Sequence, residues 1–206
     1  MKSYNGNLLN SNIHYFYYPI EFFFRMQKKL GLNEVALYGC VPHIWIDHYG
    51  IDDAYCIRDK ATSNNIKISL FIPKEYFYFI SSPDEKLAAR SVEYYKNCIN
   101  FCEYCGIKII YIKTRFIKNL DLSSQKEQYR KSRESISKYA EEKNIKPIYD
   151  EKSLKSEGYI ILTDYRSLTN QNLKTDYKVV LLDDNDTIWS YPHKFDEKNV
   201  RFFRGE

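Results

Sequence analysis

Apolar and polar positions run along this chain in two rhythms, and the switches between them mark its elements. Residues 7–13 read as a first strand. Pro19 opens an amphipathic stretch, PIEFFFRMQKKLG, with proline suited to the first turn of a helix and Gly31 to its stop. Residues 34–38 read as a second strand, and residues 52–63 as a helix on charge and spacing. IKISLFI, residues 66–72, alternates like a third strand and is stopped by Pro73. Ser82-Pro83-Asp84-Glu85 combines a cap, a proline and acids of a first turn, so a helix is predicted from Ser82 to about Cys105, before Gly106. IKIIYIK, residues 107–113, is a fourth strand. Ser123 or Ser124 opens a helix to about Lys143, and residues 145–150 make a fifth strand. Residues 167–173 form a short helix or a turn. KVVLLD, residues 178–183, has the unbroken apolar run of a strand buried on both faces, and residues 200–204 offer a seventh.

Strands and helices therefore alternate at intervals of roughly 25–40 residues, the rhythm of a parallel sheet. An open doubly wound sheet and a (β/α) barrel both fit it. A full eight-unit barrel typically takes about 250 residues. The 206 residues here supply six units or seven, with no Gly/Ser/Pro-rich linker dividing them, and one α/β domain over 1–206 is expected.

Composition narrows the function. Apolar residues make up 44%, enough for a full core. Glycine is scarce at 7, which argues against a glycine-rich phosphate cradle. A net charge of +4 with both signs interspersed is too mild to argue for nucleic acid, and the Lys126–Lys138 stretch reads as a solvated helix face. No apolar run approaches the ~20 residues of a membrane span, and the N-terminal segment has no signal-peptide h-region. A cytoplasmic protein with no membrane partner and five reduced cysteines is expected.

The candidate chemistry clusters at predicted strand ends, where α/β proteins place their sites. His43 follows the second strand in LNEVALYGCVPHIW: it either contacts a substrate hydroxyl or packs in its loop. His14 follows the first strand and lines the same mouth or is an ordinary strand-end residue. Asp150 and Asp183 end strands; two carboxylates and a histidine can hold Mg²⁺ or Mn²⁺, while the alternative is a turn cap and a solvated loop. Cys98, Cys102 and Cys105, in CINFCEYC, match an iron–sulfur string, but they sit late in a helical pattern on one helix face, so a cluster is not expected. The aromatic runs at residues 15–18 and 76–79 suit a sugar-stacking platform, a subunit interface or core packing.

Read together, several segments resemble the sugar isomerase/epimerase family with the xylose-isomerase-like TIM barrel, nearest its fructoselysine 3-epimerase-like branch. They are Tyr18-Pro19, Leu30-Gly31-Leu32, Leu37-Tyr38-Gly39 into Pro42-His43, Ile72-Pro73-Lys74-Glu75-Tyr76, Asp84-Glu85 with Arg90-Ser91-Val92-Glu93-Tyr94, Arg130 to Ser135, and Ala140-Glu141-Glu142. The chain departs from the pattern at Ala36, where an acid is common, and at Cys40, where a glycine is. The resemblance implies an incomplete TIM-like barrel of six to seven units, with residues 184–206 a divergent tail. It implies a divergent isomerase or epimerase of a sugar or sugar phosphate. Asp150 would be base and ligand, standing at the fifth-strand Glu position, and Asp183 would be a ligand at the sixth-strand Asp position. His43, Tyr38 and His14 would face the substrate. The family's His and second Glu find no clear counterpart, so the divalent metal site (Mn or Mg) is incomplete. The rival reading is a non-catalytic relative that binds a carbohydrate or a partner subunit. An open barrel edge also calls for cover from the tail or from a second chain, as a homo-oligomer.

Overall fold

A computed structural model describes residues 7–51, 54–74, 77–162 and 178–181. Within them the elements run β1 (Asn7–Ser11), α1 (Ile20–Lys29), β2 (Glu34–Gly39), α2 (Ala54–Ser63), β3 (Lys67–Pro73), α3 (Glu85–Cys105), β4 (Ile109–Tyr111), α4 (Leu122–Glu142), β5 (Lys146–Ile148), α5 (Glu151–Ser156), β6 (Tyr159–Leu162) and β7 (Lys178–Leu181). The expected elements at 167–173 and 200–204 lie outside the described residues.

Local chemistry sets the boundaries. β1 stops at Ser11 because Ser11 Oγ accepts the Ile13 N–H and turns residues 12–15 into a 3₁₀ helix, not the strand end expected there. α3 starts at Glu85, three residues after the predicted start at Ser82, with Asp84 as its cap. Asp84 accepts the Leu87 N–H at 3.0 Å, while Ser82 Oγ takes the Asp84 N–H. α4 is capped in the same way by Asp121, ahead of Ser123 and Ser124. Gly106 closes α3 in the left-handed region at φ 71°, and the Ile107 N–H reaches back to Cys102 O.

All strand pairs are parallel, and the sheet order is β5-β4-β3-β2-β1-β7-β6. In a flat sheet of that order β3 and β6 would stand four steps apart, about 19 Å. Instead the Tyr159 hydroxyl of β6 lies 3.5 Å from Ser69 O of β3. The edge residues Ile148 of β5 and Tyr159 of β6 also share one cluster with Leu9, Ala36, Tyr38, Leu70, Ile72 and Tyr111. The sheet therefore curls on itself, and those side chains fill its inside, as in a barrel with a packed interior. The other strand faces meet the helices in a second layer that holds Phe23, Phe24, Phe71, Tyr94, Phe101 and Ile136.

Among the described residues seven strands give a partial barrel, with the gap between β5 and β6. β7 pairs with β1, so KVVL takes the last place in the barrel instead of the sixth place expected of it. α5 spans the gap. Its Leu154 is 1% exposed and packs into the interior cluster beside Ile148 and Tyr159. Neither α5 nor β6 was expected from the sequence.

Packing is tight where β2 delivers the chain to the mouth. A Cβ on Gly39 would lie 2.5 Å from Cζ of Phe71, a fully buried ring wedged against Phe101. Gly39→Ala is expected to cost about 1–3 kcal/mol of stability by overpacking. A urea midpoint matching the wild type would contradict it.

Candidate functional site

The C-terminal ends of the strands gather the polar groups. At the end of β1, Asn12 is fully buried and bridges to β2. Its Oδ1 accepts the Tyr38 N–H at 2.6 Å, and its Nδ2 donates to Tyr38 O at 3.0 Å. That fixes the amide orientation, so Nδ2 also faces Nδ1 of His43, at 3.0 Å. On the far side of the ring Nε2 lies 2.8 Å from Tyr18 O, which can only accept. His43 is thus a neutral Nε2–H tautomer, with Nδ1 accepting from Asn12. Phe16 stacks on it at 6.0 Å. Burial holds its pKa below the ordinary 6.5, against weaker upward pulls from the backbone contacts of Tyr18 and Tyr15 and from the Glu21 carboxylate. Both nitrogens are spent on tying the β1–α1 and β2–α2 connections together, so His43 shapes the rim instead of presenting a nitrogen to a ligand.

Strand alternation shows which side chains turn to the axis. Ala36, Tyr38 and Cys40 face inward from β2 and its extension, and Leu70 and Ile72 from β3. Lys74 continues the β3 series, and its Nζ sits 5.6 Å from the Tyr38 ring centroid. Its backbone is held at both ends, the N–H by Gly39 O at 3.0 Å and the C=O by the Tyr94 hydroxyl at 2.5 Å. On β4, Ile109 and Tyr111 pack inward, and the same alternation brings Lys113 to the inner side one step above. Cys40 is buried, and desolvation pushes its thiol far up, so it stays protonated.

Asp150 follows β5 and caps α5. Its two oxygens accept the Ser153 N–H at 2.8 Å and the Ser153 hydroxyl at 2.7 Å. Those two bonds hold its pKa below the usual carboxylate value. Of the residues expected at the site, the structure brings Tyr38 and His43 to one mouth and puts Asp150 at the rim as a helix cap. Asp183 lies outside the described residues, as does the side chain of His14. Among the described residues no three His, Cys, Asp or Glu side chains gather as metal ligands. Cys98 and Cys102 are fully buried between α3 and the sheet, where desolvation raises both thiols; Cys105 is pushed up to about 12 and donates to Ala54 O.

The aromatic runs divide. Tyr15 is core, packed on Phe22 and Phe23, and Tyr78 stacks on Tyr94 at 4.0 Å. Tyr17, Tyr18 and Phe77 are exposed, joined by Trp45 and Tyr49 from the β2–α2 connection. There Asp47 Oδ1 accepts the N–H groups of Tyr49 and Gly50 and folds the loop outward. Three successive strand-to-helix connections thus carry exposed rings on the face of the mouth. Lys74 and Asn12 escaped the sequence reading: Pro73 read as a stop, and residue 12 as part of a strand.

No protein-family model matches this sequence, and no curated protein matches it significantly. Solved structures do. A xylose isomerase domain containing protein from Salmonella typhimurium LT2 superposes with a TM-score of 0.65 at 11% identity, over 98% of this chain and 97% of that one. A candidate xylose isomerase from Rhodospirillum rubrum ATCC 11170 gives 0.58 at 12% identity, over 86% of this chain and 65% of that one. IolI protein with a binding zinc atom gives 0.54 at 13% identity, over 68% of this chain and 50% of that one. This chain therefore spans less than two thirds of the length of some of the barrels it matches. The fold is that of the xylose-isomerase-like TIM barrels, in partial form. No helix among the described residues is long and apolar enough to cross a membrane.

Proposed function

We propose that this protein takes a sugar or sugar phosphate at the C-terminal mouth of its barrel and acts as a divergent isomerase or epimerase. The observation that carries the reading is the pair of inward side chains at that mouth, Tyr38 and Lys74, above a barrel floor filled by apolar groups. Tyr38 offers a ring and Lys74 a donor, as polyhydroxylated ligands require. The fold likeness to a xylose isomerase domain containing protein supports the substrate class. The chemistry would be removal of a proton from the carbon beside a carbonyl and its return to another position or face. Asp150 is the described strand-end carboxylate for it, and it would have to exchange its Ser153 bonds for the substrate. The solved zinc-bound IolI fold makes a divalent metal worth testing, yet the described residues do not assemble a ligand set, and no step here runs through one.

One observation favours a second reading, a non-catalytic relative that binds a carbohydrate or a partner subunit: both Asp150 oxygens already serve α5. Asp150→Asn separates the two. Asparagine caps helices about as well as aspartate, so stability should change little. Solvent deuterium uptake into fructose or fructose 6-phosphate, read by mass spectrometry after dialysis against Mn²⁺, is expected for the wild type and should fall at least about a hundredfold in the variant. No uptake by the wild type leaves only the binding reading.

A further inference from the structure

We infer that the Lys74 ammonium is the electrophile of this mouth, holding the carbonyl oxygen of the sugar while negative charge builds on it. The inference rests on the isomerase or epimerase reading above and assigns a group that its proton transfer requires. When a base takes the proton beside a carbonyl, the C–H electron pair becomes a C=C bond and the carbonyl π pair moves onto oxygen. Return of a proton to carbon reverses both shifts. The oxygen therefore passes from neutral to anionic and back. A cationic N–H donor fixed at that oxygen gains attraction as the charge appears, so it stabilises the transition state more than the bound sugar.

Lys74 meets these requirements. It continues the inward series of β3, and its Nζ lies 5.6 Å from the Tyr38 ring centroid, so the ring draws the ammonium toward the axis. The same charge reaches the buried Cys40 thiol, where burial raises the pKa and Lys74 opposes it. Lys74 forms no ion pair among the described residues. Lys60, Lys96, Lys143, Lys146 and Lys178 behave differently, and each holds a glutamate. The base of the Lys74 stem is also fixed in advance. Gly39 O accepts its N–H, and its C=O accepts the hydroxyl of Tyr94, a fully buried ring stacked on Tyr78. Less freedom is then lost when the side chain meets a ligand. Three other described groups of the mouth are engaged. His43 spends its one N–H on Tyr18 O, Asp150 accepts from Ser153, and the Cys40 thiol donates to Tyr38 O.

Two measurements on wild type, Lys74→Ala and Lys74→Arg test this: solvent deuterium uptake into saturating fructose after dialysis against Mn²⁺, and the calorimetric Kd for fructose. Thermal melting confirms that each protein is folded. Lys74→Ala should lower uptake at saturation by about a hundredfold or more. Its Kd for fructose should move by less than about threefold, because the carbonyl of the bound sugar is uncharged. Lys74→Arg keeps the charge and should recover most of the lost rate. Uptake unchanged in Lys74→Ala overturns the assignment and leaves the isomerase or epimerase reading standing. A variant that loses affinity but keeps its rate at saturation does the same, since Lys74 then only binds. A Lys74→Arg rate as low as that of Lys74→Ala also overturns it, because the charge is then not what acts. No uptake by the wild type overturns this inference and the catalytic reading together.

Discussion

Leu154→Ala is expected to lower the free energy of unfolding by about 2–5 kcal/mol, a large fraction of the stability of a domain this size. α5 has a single buried side chain, and that side chain closes the barrel. Among the described residues β5 and β6 do not pair with each other and no strand lies between them. The interior at this point is bounded by Ile148, Tyr159 and Leu154. Truncating Leu154 opens a cavity beside a gap where no ladder of backbone hydrogen bonds keeps water out. Relaxation is restricted, because Asp150 and the Ser153 N–H pin the first turn of the helix and the Lys146–Glu157 pair ties its far end back to β5. Leu154→Met, which keeps the volume, should cost less than about 1.5 kcal/mol. Changes at the exposed Glu151 or Lys152 should do little. Urea unfolding measures all three. A loss below about 1 kcal/mol for Leu154→Ala would mean that something other than α5 seals the barrel.

That plug was also the hardest part of the fold to read from the sequence. α1, α3 and α4 announce themselves through long amphipathic periods, and β3 through an apolar run broken by Lys67 and Ser69 and ended at Pro73. A six-residue helix with one apolar residue has no period to detect, and the four residues of β6 are too few to distinguish a strand from a helix end. Missing both shifted the count of strands, so KVVL was placed sixth when pairing with β1 makes it the last. The site shows the same contrast. Strand-end position was legible for Tyr38, His43 and Asp150, which lie at or just after the ends of β2 and β5. Role was another matter, because it depends on where each polar atom finds its partner. The His43 nitrogens meet an asparagine and a carbonyl 31 and 25 residues away, and no local pattern carries that information. Asp150 could be read either way, and only its distances to Ser153 show the capping arrangement.

Asn12→Ala should destabilise the protein by about 1–3 kcal/mol and weaken a pH dependence that the wild type shows. The amide is buried and satisfies three groups at once: the Tyr38 N–H, the Tyr38 carbonyl and Nδ1 of His43. Alanine removes the Asn12 bonds to both backbone groups; the Tyr38 carbonyl still accepts the Cys40 N–H at 3.1 Å, so the cost is that of the lost amide bonds, about 1–3 kcal/mol. The pH effect begins with burial of the imidazole, and the fixed orientation of the amide adds to it. Protonated His43 would point a second N–H at the Asn12 NH₂, donor against donor. Rotating the amide would only move the conflict to the Tyr38 N–H. The folded state therefore prefers neutral imidazole, in keeping with a pKa held below 6.5. A histidine depressed in this way contributes stability that is fully present above 6.5, where both states are neutral, and is lost as pH falls through the folded pKa, because the unfolded chain binds the proton first. The charged groups around the ring are Glu21 of α1, whose carboxylate is held by Lys60 of α2. Both keep their charge through most of that window, so the change belongs to the imidazole. Stability measured from pH 7.5 to 5 should fall more steeply for wild type than for His43→Gln, and Asn12→Ala should flatten the curve toward the variant. A histidine signal titrating at or above 6.5 by NMR, assigned to His43, would sink the clamp.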